Sequence, residues 1–136
     1  MPVRGVRGAT TAAANEAGAI VDATEELLRE LVRLNDLDVE EIAFAYFTTT
    51  RDLDAEFPAL AARRLGWVDV PLLCGHDMDV RQPNPRGVER CVRVLLLYNT
   101  NLRQREMRHA YLRGALAIKQ DLDAMRSQLE APVTGR

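Results

Sequence analysis

The sequence lacks the features that mark membrane-bound or exported proteins. No segment of its 136 residues approaches the roughly 18 consecutive apolar residues that a membrane-spanning helix requires. The alanine-rich stretch over residues 9–21 is interrupted by Asn15 and Glu16, and it is too weakly apolar to be the hydrophobic region of a signal peptide. We therefore expect a soluble, cytoplasmic protein that does not bind membranes.

Cysteine and net charge are both scarce. The two cysteines, Cys74 and Cys91, do not form a disulfide framework, and we expect both to be reduced thiols in a cytosolic protein. The formal net charge of −2 gives no overall attraction to nucleic acid, so any basic binding site must be local. We expect no nucleic-acid partner.

The motifs of covalent and nucleotide chemistry are also missing. There is no G-x-S-x-G nucleophile elbow, no P-loop and no G-x-G-x-x-G after a strand. Cys74, His76 and Asp77 could belong to a metal site, but zinc needs further ligands, and the other histidine, His109, has no partner near it in sequence. We predict no metal. In the simplest interpretation Cys74 is a small apolar residue at a strand end, and Asp77 and Asp79 are solvated loop carboxylates.

What is present is the pattern of a single α+β domain. At 136 residues the chain is long enough for one core, and we predict one domain over residues 1–126 and a flexible tail over 127–136. Hydrophobic periodicity predicts strands over 3–9, 42–49, 68–74 and 90–99, a mostly extended segment over 109–118, and helices over 16–34, 57–65 and 120–129. Thr11 or Asn15 is expected to cap the first helix, and Gly66 to end the second.

This order of elements predicts a mixed β-sheet with helices packed on one face. Several predicted strands carry apolar residues on both faces, although the helices would cover one face alone. We therefore expect the open face to be buried by oligomerisation.

One charge, Arg93, interrupts the apolar run over residues 91–98 and is the most informative feature of the chain. The run is predicted to be a strand that is buried on at least one face. A guanidinium keeps its proton near neutral pH, so a buried one requires an anion beside it. That anion is either a protein carboxylate, which is the more common case, or a substrate.

A second arginine supports the substrate interpretation. Arg7 and Arg93 each share a predicted strand face with small or apolar residues. Two guanidiniums on ordered strands suit a small anion with more than one carboxylate, held by bidentate hydrogen bonds. The Tyr111 hydroxyl could add a further donor.

Four stretches of the chain resemble the small trimeric chorismate mutases of the Bacillus type. They are Arg4-Gly5-Val6-Arg7-Gly8-Ala9-Thr10-Thr11, Asp52-Leu53 followed by Phe57-Pro58-Ala59 and Arg63, Cys91-Val92-Arg93-Val94, and Arg108-His109-Ala110-Tyr111-Leu112. They keep the family's order, and the resemblance runs over residues 3–122. It implies a homotrimer whose sheets form a central pseudo-barrel, with active sites at the subunit interfaces.

The resemblance also implies a reaction, the rearrangement of chorismate to prephenate on the route to phenylalanine and tyrosine. This is a unimolecular pericyclic shift in which one C–O bond breaks as one C–C bond forms, so it needs no nucleophile, metal or cofactor. The catalyst must hold the substrate in a compact, chair-like conformer and stabilise the charge that develops in the transition state.

Residue roles follow from the same resemblance. Arg93 would face the ether oxygen, which becomes negative as the C–O bond breaks. Arg7 and Tyr111 would hold a substrate carboxylate, and Arg63 would serve a carboxylate near the mouth. The apolar wall would be formed by Phe57, Ala59, Leu73 and Ile118.

Two further residues, Asp77 and Cys74, would lie near the ring hydroxyl and the allylic part of the substrate. The family usually has glutamate where this chain has Asp77, so the carboxylate is one methylene shorter. It would reach the hydroxyl either by an inward movement of the loop or through a water molecule. The loop over residues 81–87 is also a few residues longer than in the family and carries two prolines.

Two other functions stay open at the level of sequence. The similarly folded trimeric enamine and imine deaminases of the Rid type also place an arginine at an interface cleft, so the fold alone does not exclude them. The other alternative is a non-catalytic trimer that binds a small dicarboxylate or a partner protein.

Overall fold

The computed structural model describes residues 1–130, and within them the chain forms one five-stranded sheet and three α-helices. The strands are β1 (Val3–Thr11), β2 (Ile42–Thr49), β3 (Leu72–His76), β4 (Cys91–Asn99) and β5 (Ala110–Tyr111). The helices are α1 (Ala17–Asn35), α2 (Ala59–Arg64) and α3 (Leu116–Glu130). The predicted α+β class is confirmed. Of the predicted tail, residues 131–136 lie outside the described part of the chain.

The sheet is mixed, as predicted, and its strand order is β3-β2-β4-β1-β5. The central strand β4 pairs antiparallel with both β1 and β2, whereas the edge strands β3 and β5 run parallel to their neighbours. Residues that pair across adjacent strands point to the same face of a sheet. The register therefore sorts every strand residue to one of two faces.

One face of the sheet is covered by α1 and α2. The apolar face of α1, which includes Leu27, Leu28 and Leu31, packs in one buried cluster with strand residues such as Val6 and Leu96. Helix α3 lies beyond the β5 edge and contributes no buried residue. On the opposite face of the sheet the large apolar side chains of Val3, Leu73 and Leu95 are exposed. The expected uncovered face is present.

The predicted cap of α1 is wrong. Helix α1 begins after Glu16, and no side chain caps it. Asn15 instead binds the loop that leads to α2: its amide nitrogen donates to Asp54 Oδ1 at 2.7 Å, and its amide oxygen accepts from the backbone N–H groups of Asp54 and Ala55. The residue therefore ties that loop to the start of α1. Gly66 follows α2 with a φ of 88°, a left-handed conformation that ends a helix readily only in glycine.

Two segment predictions need correction. Strand β3 starts at Leu72 rather than near residue 68, and it continues to His76. The segment over residues 109–118 is not mostly extended, because β5 has two residues and a short 3-10 turn, Arg113–Ala115, leads directly into α3. Leu116 and Ala117, the first residues of α3, are good helix formers, so their helix propensity outweighed the strand-like apolar run. Within residues 1–130 no helix is both long and apolar enough to cross a membrane.

Candidate active site

Arg93 lies on the open face of the sheet, next to a protein carboxylate. It pairs with Ala9 of β1 and Thr48 of β2, and its Nε is 3.4 Å from Oδ2 of Asp77. Asp77 follows β3 directly, and its backbone N–H donates to the Thr49 carbonyl at 2.8 Å, which fixes its position. Its side chain is 17% exposed, so it is not a solvated loop carboxylate. Of the two anions that the sequence left open for Arg93, a protein carboxylate is present, and it is Asp77.

This ion pair leaves hydrogen-bonding capacity unused on both sides. Arg93 Nε and Asp77 Oδ2 are both buried, and within the described residues neither has a hydrogen-bond partner. Buried polar atoms are nearly always hydrogen-bonded in native proteins, so two unpaired atoms that face each other need an explanation. They form a donor and an acceptor that a polar ligand can use.

Arg7 lies on the same face as Arg93. It pairs with Leu95, two residues along the β1–β4 ladder from the pair that contains Arg93. The two guanidiniums border one cleft of about 350 Å³, which is lined by Arg7, Tyr46, Thr48, Asp77, Arg93, Val94 and Leu95. Among residues 1–130 no carboxylate forms an ion pair with Arg7. Both arginines that the sequence analysis singled out therefore lie on one face of the sheet.

Tyr111 and Ile118 lie on the β5 side of the sheet. Tyr111 pairs with Ala9, so it shares the face of Arg93, and both residues pack against the small buried cluster of Ala9, Cys91 and Ala115. A second cleft separates this part of the sheet from α3, and Arg7 and Tyr111 both line it. Arg7 therefore stands between two clefts.

The start of β4 is anchored by polar contacts from the end of β2. Thr50 donates its hydroxyl proton to Asp52, and its oxygen accepts from the Cys91 N–H at 2.9 Å. The other carboxylate oxygen of Asp52 accepts from the Arg90 N–H at 2.9 Å. Because Cys91 is two residues before Arg93, these bonds hold the strand that carries the guanidinium.

The remaining predicted site residues form a separate group at the β3 edge. A cleft of about 450 Å³ is bordered by the predicted residues Phe57, Ala59, Arg63, Leu73 and Cys74. Phe57 is 69% exposed and Leu73 is 64% exposed, which is unusual for large apolar side chains. The two form an apolar surface at the edge of the sheet.

Cys74 belongs to this second group and faces away from Arg93. It pairs with Phe47, so its side chain lies on the helix-covered face. Burial raises the pKa of the Cys74 thiol, against smaller lowering effects from the Ala59 backbone N–H and the Arg63 guanidinium. The thiol is therefore protonated near neutral pH and is not an activated nucleophile.

The strand order keeps the two groups apart within one chain. Strands β3 and β1 are separated by β2 and β4, which corresponds to roughly 14 Å at the usual strand spacing. One group contains Arg7, Arg93, Asp77, Tyr111 and Ile118, and the other contains Phe57, Ala59, Arg63, Leu73 and Cys74. A single small substrate cannot bridge from Arg63 to Arg7 in one subunit.

Three residues of the first group were missed by sequence reasoning. Tyr46 and Thr48 of β2 line the cleft with Arg93, and His109 contacts the backbone of Arg7. Alternation along β2 could have placed positions 46 and 48 on one face, but their pairing with β4 was needed to identify that face. Tyr46 reaches over β3 because position 75 is glycine: a Cβ there would lie 2.6 Å from the Tyr46 hydroxyl oxygen.

The described residues contain no group of three or more His, Cys, Asp or Glu side chains that could hold a metal ion. The site is thus an arginine-lined cleft on the open face of a mixed sheet, with a buried carboxylate and a tyrosine at its borders.

Comparison with known proteins identifies the class to which this fold and site belong. The family model of chorismate mutase type I matches residues 3–122, and the chain belongs to that family. It is 42% identical to the chorismate mutase AroH of Thermus thermophilus, over 90% of this chain and 98% of the relative. It is 36% identical to AroH of Bacillus subtilis, over 90% of this chain and 94% of the relative.

A solved structure agrees with this assignment. A chorismate mutase from Clostridium thermocellum superposes with a TM-score of 0.77 at 42% sequence identity, covering 82% of this chain and 96% of that one. The family match favours chorismate mutase over the imine deaminase and the non-catalytic binding protein.

Proposed function

We propose that this protein is an isomerase that rearranges chorismate to prephenate in the biosynthesis of phenylalanine and tyrosine. The observation that carries the proposal is the buried, unpaired Nε–H of Arg93 on the same face as Arg7. A substrate with two carboxylates and an ether oxygen needs several positive donors on one rigid surface. We expect the enzyme to work in the cytoplasm.

The chemistry of this reaction requires positioning and electrostatics alone. Arg93 directs its guanidinium at the ether oxygen, where negative charge appears as the C–O bond breaks. Arg7 and Tyr111 hold a substrate carboxylate, which favours the compact conformer that reacts. Because these groups stand on paired strands, they need little rearrangement as the transition state forms.

Asp77 contributes a carboxylate close to the substrate ring. It already lies 3.4 Å from Arg93 Nε, so it keeps the guanidinium oriented before substrate binds. Its free oxygen accepts a hydrogen bond from the ring hydroxyl, directly or through water. The shorter aspartate side chain suits this double role, because it ends beside Arg93 rather than beyond it.

We propose that a homotrimer completes the site. The β3-edge group, with Arg63, Phe57 and Leu73, would come from one subunit and the Arg7–Arg93 group from its neighbour. Three features support this: the separation of the two groups in one chain, the exposure of Phe57 and Leu73, and the exposure of Leu95 on the uncovered face of the sheet. Cys74 would then present a neutral thiol to the allylic part of the substrate, and Ile118 would close the apolar wall.

Turnover of chorismate by the purified protein tests the proposed activity. The diene absorbance of chorismate should fall with time, and prephenate should be the product identified by mass and by acid conversion to phenylpyruvate. Static light scattering should give three times the chain mass. If the chorismate absorbance stays constant in the presence of folded protein, the proposed activity is rejected. A stable monomer that is fully active would reject the composite site.

A further inference from the structure

His109 makes a contact that the proposed mechanism does not use. Its ring nitrogen Nδ1 accepts a hydrogen bond from the backbone N–H of Arg7 at 3.0 Å. Strand β5 pairs with β1 at two positions, Gly8 with Ala110 and Ala9 with Tyr111. The imidazole therefore extends the β1–β5 ladder by one residue and supplies the acceptor that the Arg7 N–H would otherwise lack on that side.

The segment that carries His109 is fixed on the opposite side of its backbone. The Asn35 side chain at the end of α1 accepts from the Arg108 N–H at 2.7 Å and donates to the Arg108 carbonyl at 2.8 Å. Arg108 is the neighbour of His109 in the chain. The imidazole is thus held between a helix end and the strand that carries Arg7.

The direction of the hydrogen bond determines the protonation state of the ring. Because the Arg7 N–H is the donor, Nδ1 must be unprotonated and the single ring proton must be on Nε2. A second proton would place one N–H against another and break the contact. The charged groups around the ring are the guanidiniums of Arg7 and Arg126 and the Glu130 carboxylate, with the Tyr111 hydroxyl beside them.

The surroundings of the ring favour this neutral form. Burial lowers the pKa of His109 below its ordinary value of 6.5, and the positive charges of Arg7 and Arg126 lower it further. The contact is therefore complete at neutral pH. It is lost when the pH falls below this lowered pKa, where the ring takes up a second proton.

We infer that His109 is a positioning residue for Arg7: its neutral imidazole holds the β1 backbone so that the Arg7 guanidinium stays on the open face between its two clefts. The inference rests on the proposed chorismate mutase function for its kinetic consequence. Arg7 is assigned to a substrate carboxylate, so displacement of its backbone should weaken substrate binding more than the chemical step. KM should rise while kcat changes less.

Three forms of the protein test this inference. His109→Asn keeps an acceptor close to the Nδ1 position but cannot be protonated in this range, whereas His109→Leu removes the acceptor. We expect His109→Leu to raise KM about tenfold at pH 7.5, which corresponds to about 1.4 kcal/mol. We expect His109→Asn to keep KM within about threefold of the unmodified protein, a difference below about 0.7 kcal/mol.

The pH profile separates positioning from a general structural role. In the unmodified protein kcat/KM should fall below pH 6.5 through a protonation step, and this step should be absent in His109→Asn. A wild-type KM in His109→Leu, or an unchanged acidic step in His109→Asn, would overturn the inference.

A spectroscopic readout keeps the inference testable without activity. The ¹⁵N shifts of the unmodified protein should show His109 as the Nε2–H tautomer at pH 7.5. The Arg7 amide should have a higher protection factor, corrected for the pH dependence of intrinsic exchange, in this state than after the ring is protonated at lower pH. A ring protonated on Nδ1 at neutral pH would overturn the inference. If chorismate is not turned over, the proposed function fails, whereas the tautomer and the amide exchange still decide the contact itself.

Discussion

Replacement of Arg93 by glutamine tests the role of the half-buried guanidinium. The substitution removes the positive charge and shortens the side chain, while the neutral amide nitrogen of glutamine can take the position of Arg93 Nε beside Asp77 Oδ2. In the proposed mechanism the charged guanidinium that is lost faces an oxygen that becomes negative in the transition state. Loss of one such donor costs about 3–4 kcal/mol of transition-state stabilisation, so turnover should fall by about 10²–10³.

The effect on folding should be much smaller than the effect on turnover. The Arg93 side chain is 31% exposed, so solvent screens the ion pair and the Asp77 carboxylate can be rehydrated when its partner is removed. We expect the free energy of unfolding to change by less than about 1.5 kcal/mol. Arg93→Lys should restore part of the activity, because an ammonium keeps the charge but cannot reproduce the planar fork of a guanidinium.

The assay is the initial rate of loss of chorismate absorbance, with urea unfolding of each variant as the stability measurement. Arg33→Gln is the matched control, since Arg33 also pairs with a carboxylate, Glu30, but lies on the exposed side of α1. The control should keep its activity within about twofold, as expected for a surface ion pair. Near wild-type turnover by folded Arg93→Gln would refute the electrostatic role.

Three further predictions follow from single contacts. Gly75→Ala should lower the free energy of unfolding by about 1–3 kcal/mol, because the new Cβ would lie 2.6 Å from the Tyr46 hydroxyl oxygen. Adding Tyr46→Phe should recover most of the loss, since the nearest remaining atom of the ring, Cζ, is 3.5 Å from that Cβ. Equal losses in the single and the double variant would contradict this. Iodoacetamide should alkylate Cys74 slowly at pH 7 and faster above pH 9, because burial raises the pKa of the thiol; rapid labelling at pH 7 would be inconsistent with a neutral thiol. The free energy of unfolding should fall as the pH is lowered below about 6.5, since the unfolded chain protonates His109 before the folded one does, and the contribution of His109 should level off below the folded-state pKa. Urea titrations should show this fall in the unmodified protein and not in His109→Asn, whereas above pH 6.5 the free energy of unfolding should change with pH equally in both.

Much of the site was predictable because a strand has a fixed period of two. Alternation along β1 and β4 placed Arg7 and Arg93 each on a strand face with small or apolar residues, and the register of the sheet brought the two faces together. The need for an anion beside Arg93 followed from the cost of burying a guanidinium alone, and the structure identifies a protein carboxylate, Asp77, in that place. Patterns along single strands were therefore sufficient to single out Arg7 and Arg93 as site residues.

What could not be predicted depends on tertiary placement. The sequence contains no signal for the strand order, so it did not reveal that Cys74 lies on the helix-covered face or that Arg63 and Arg7 are far apart in one chain. Asn15 looked like a helix cap and binds a distant loop instead. His109 looked isolated because its partner is the backbone of Arg7, which is 102 positions away.

A mixing experiment tests the central claim that two subunits build one site around Arg93. The Arg93→Gln and Arg63→Gln variants, each expected to be nearly inactive, are dissociated, mixed in equal amounts and reassembled into the proposed trimers. If one subunit supplies Arg93 and its neighbour supplies Arg63, each mixed trimer has one intact site of three, so about a quarter of all sites in the randomly reassembled protein are intact and about a quarter of wild-type activity should return. If mixed trimers form, as verified by mass, and no activity returns, the account is contradicted. In that case either both arginines serve a site within one subunit or one of them is not part of the site.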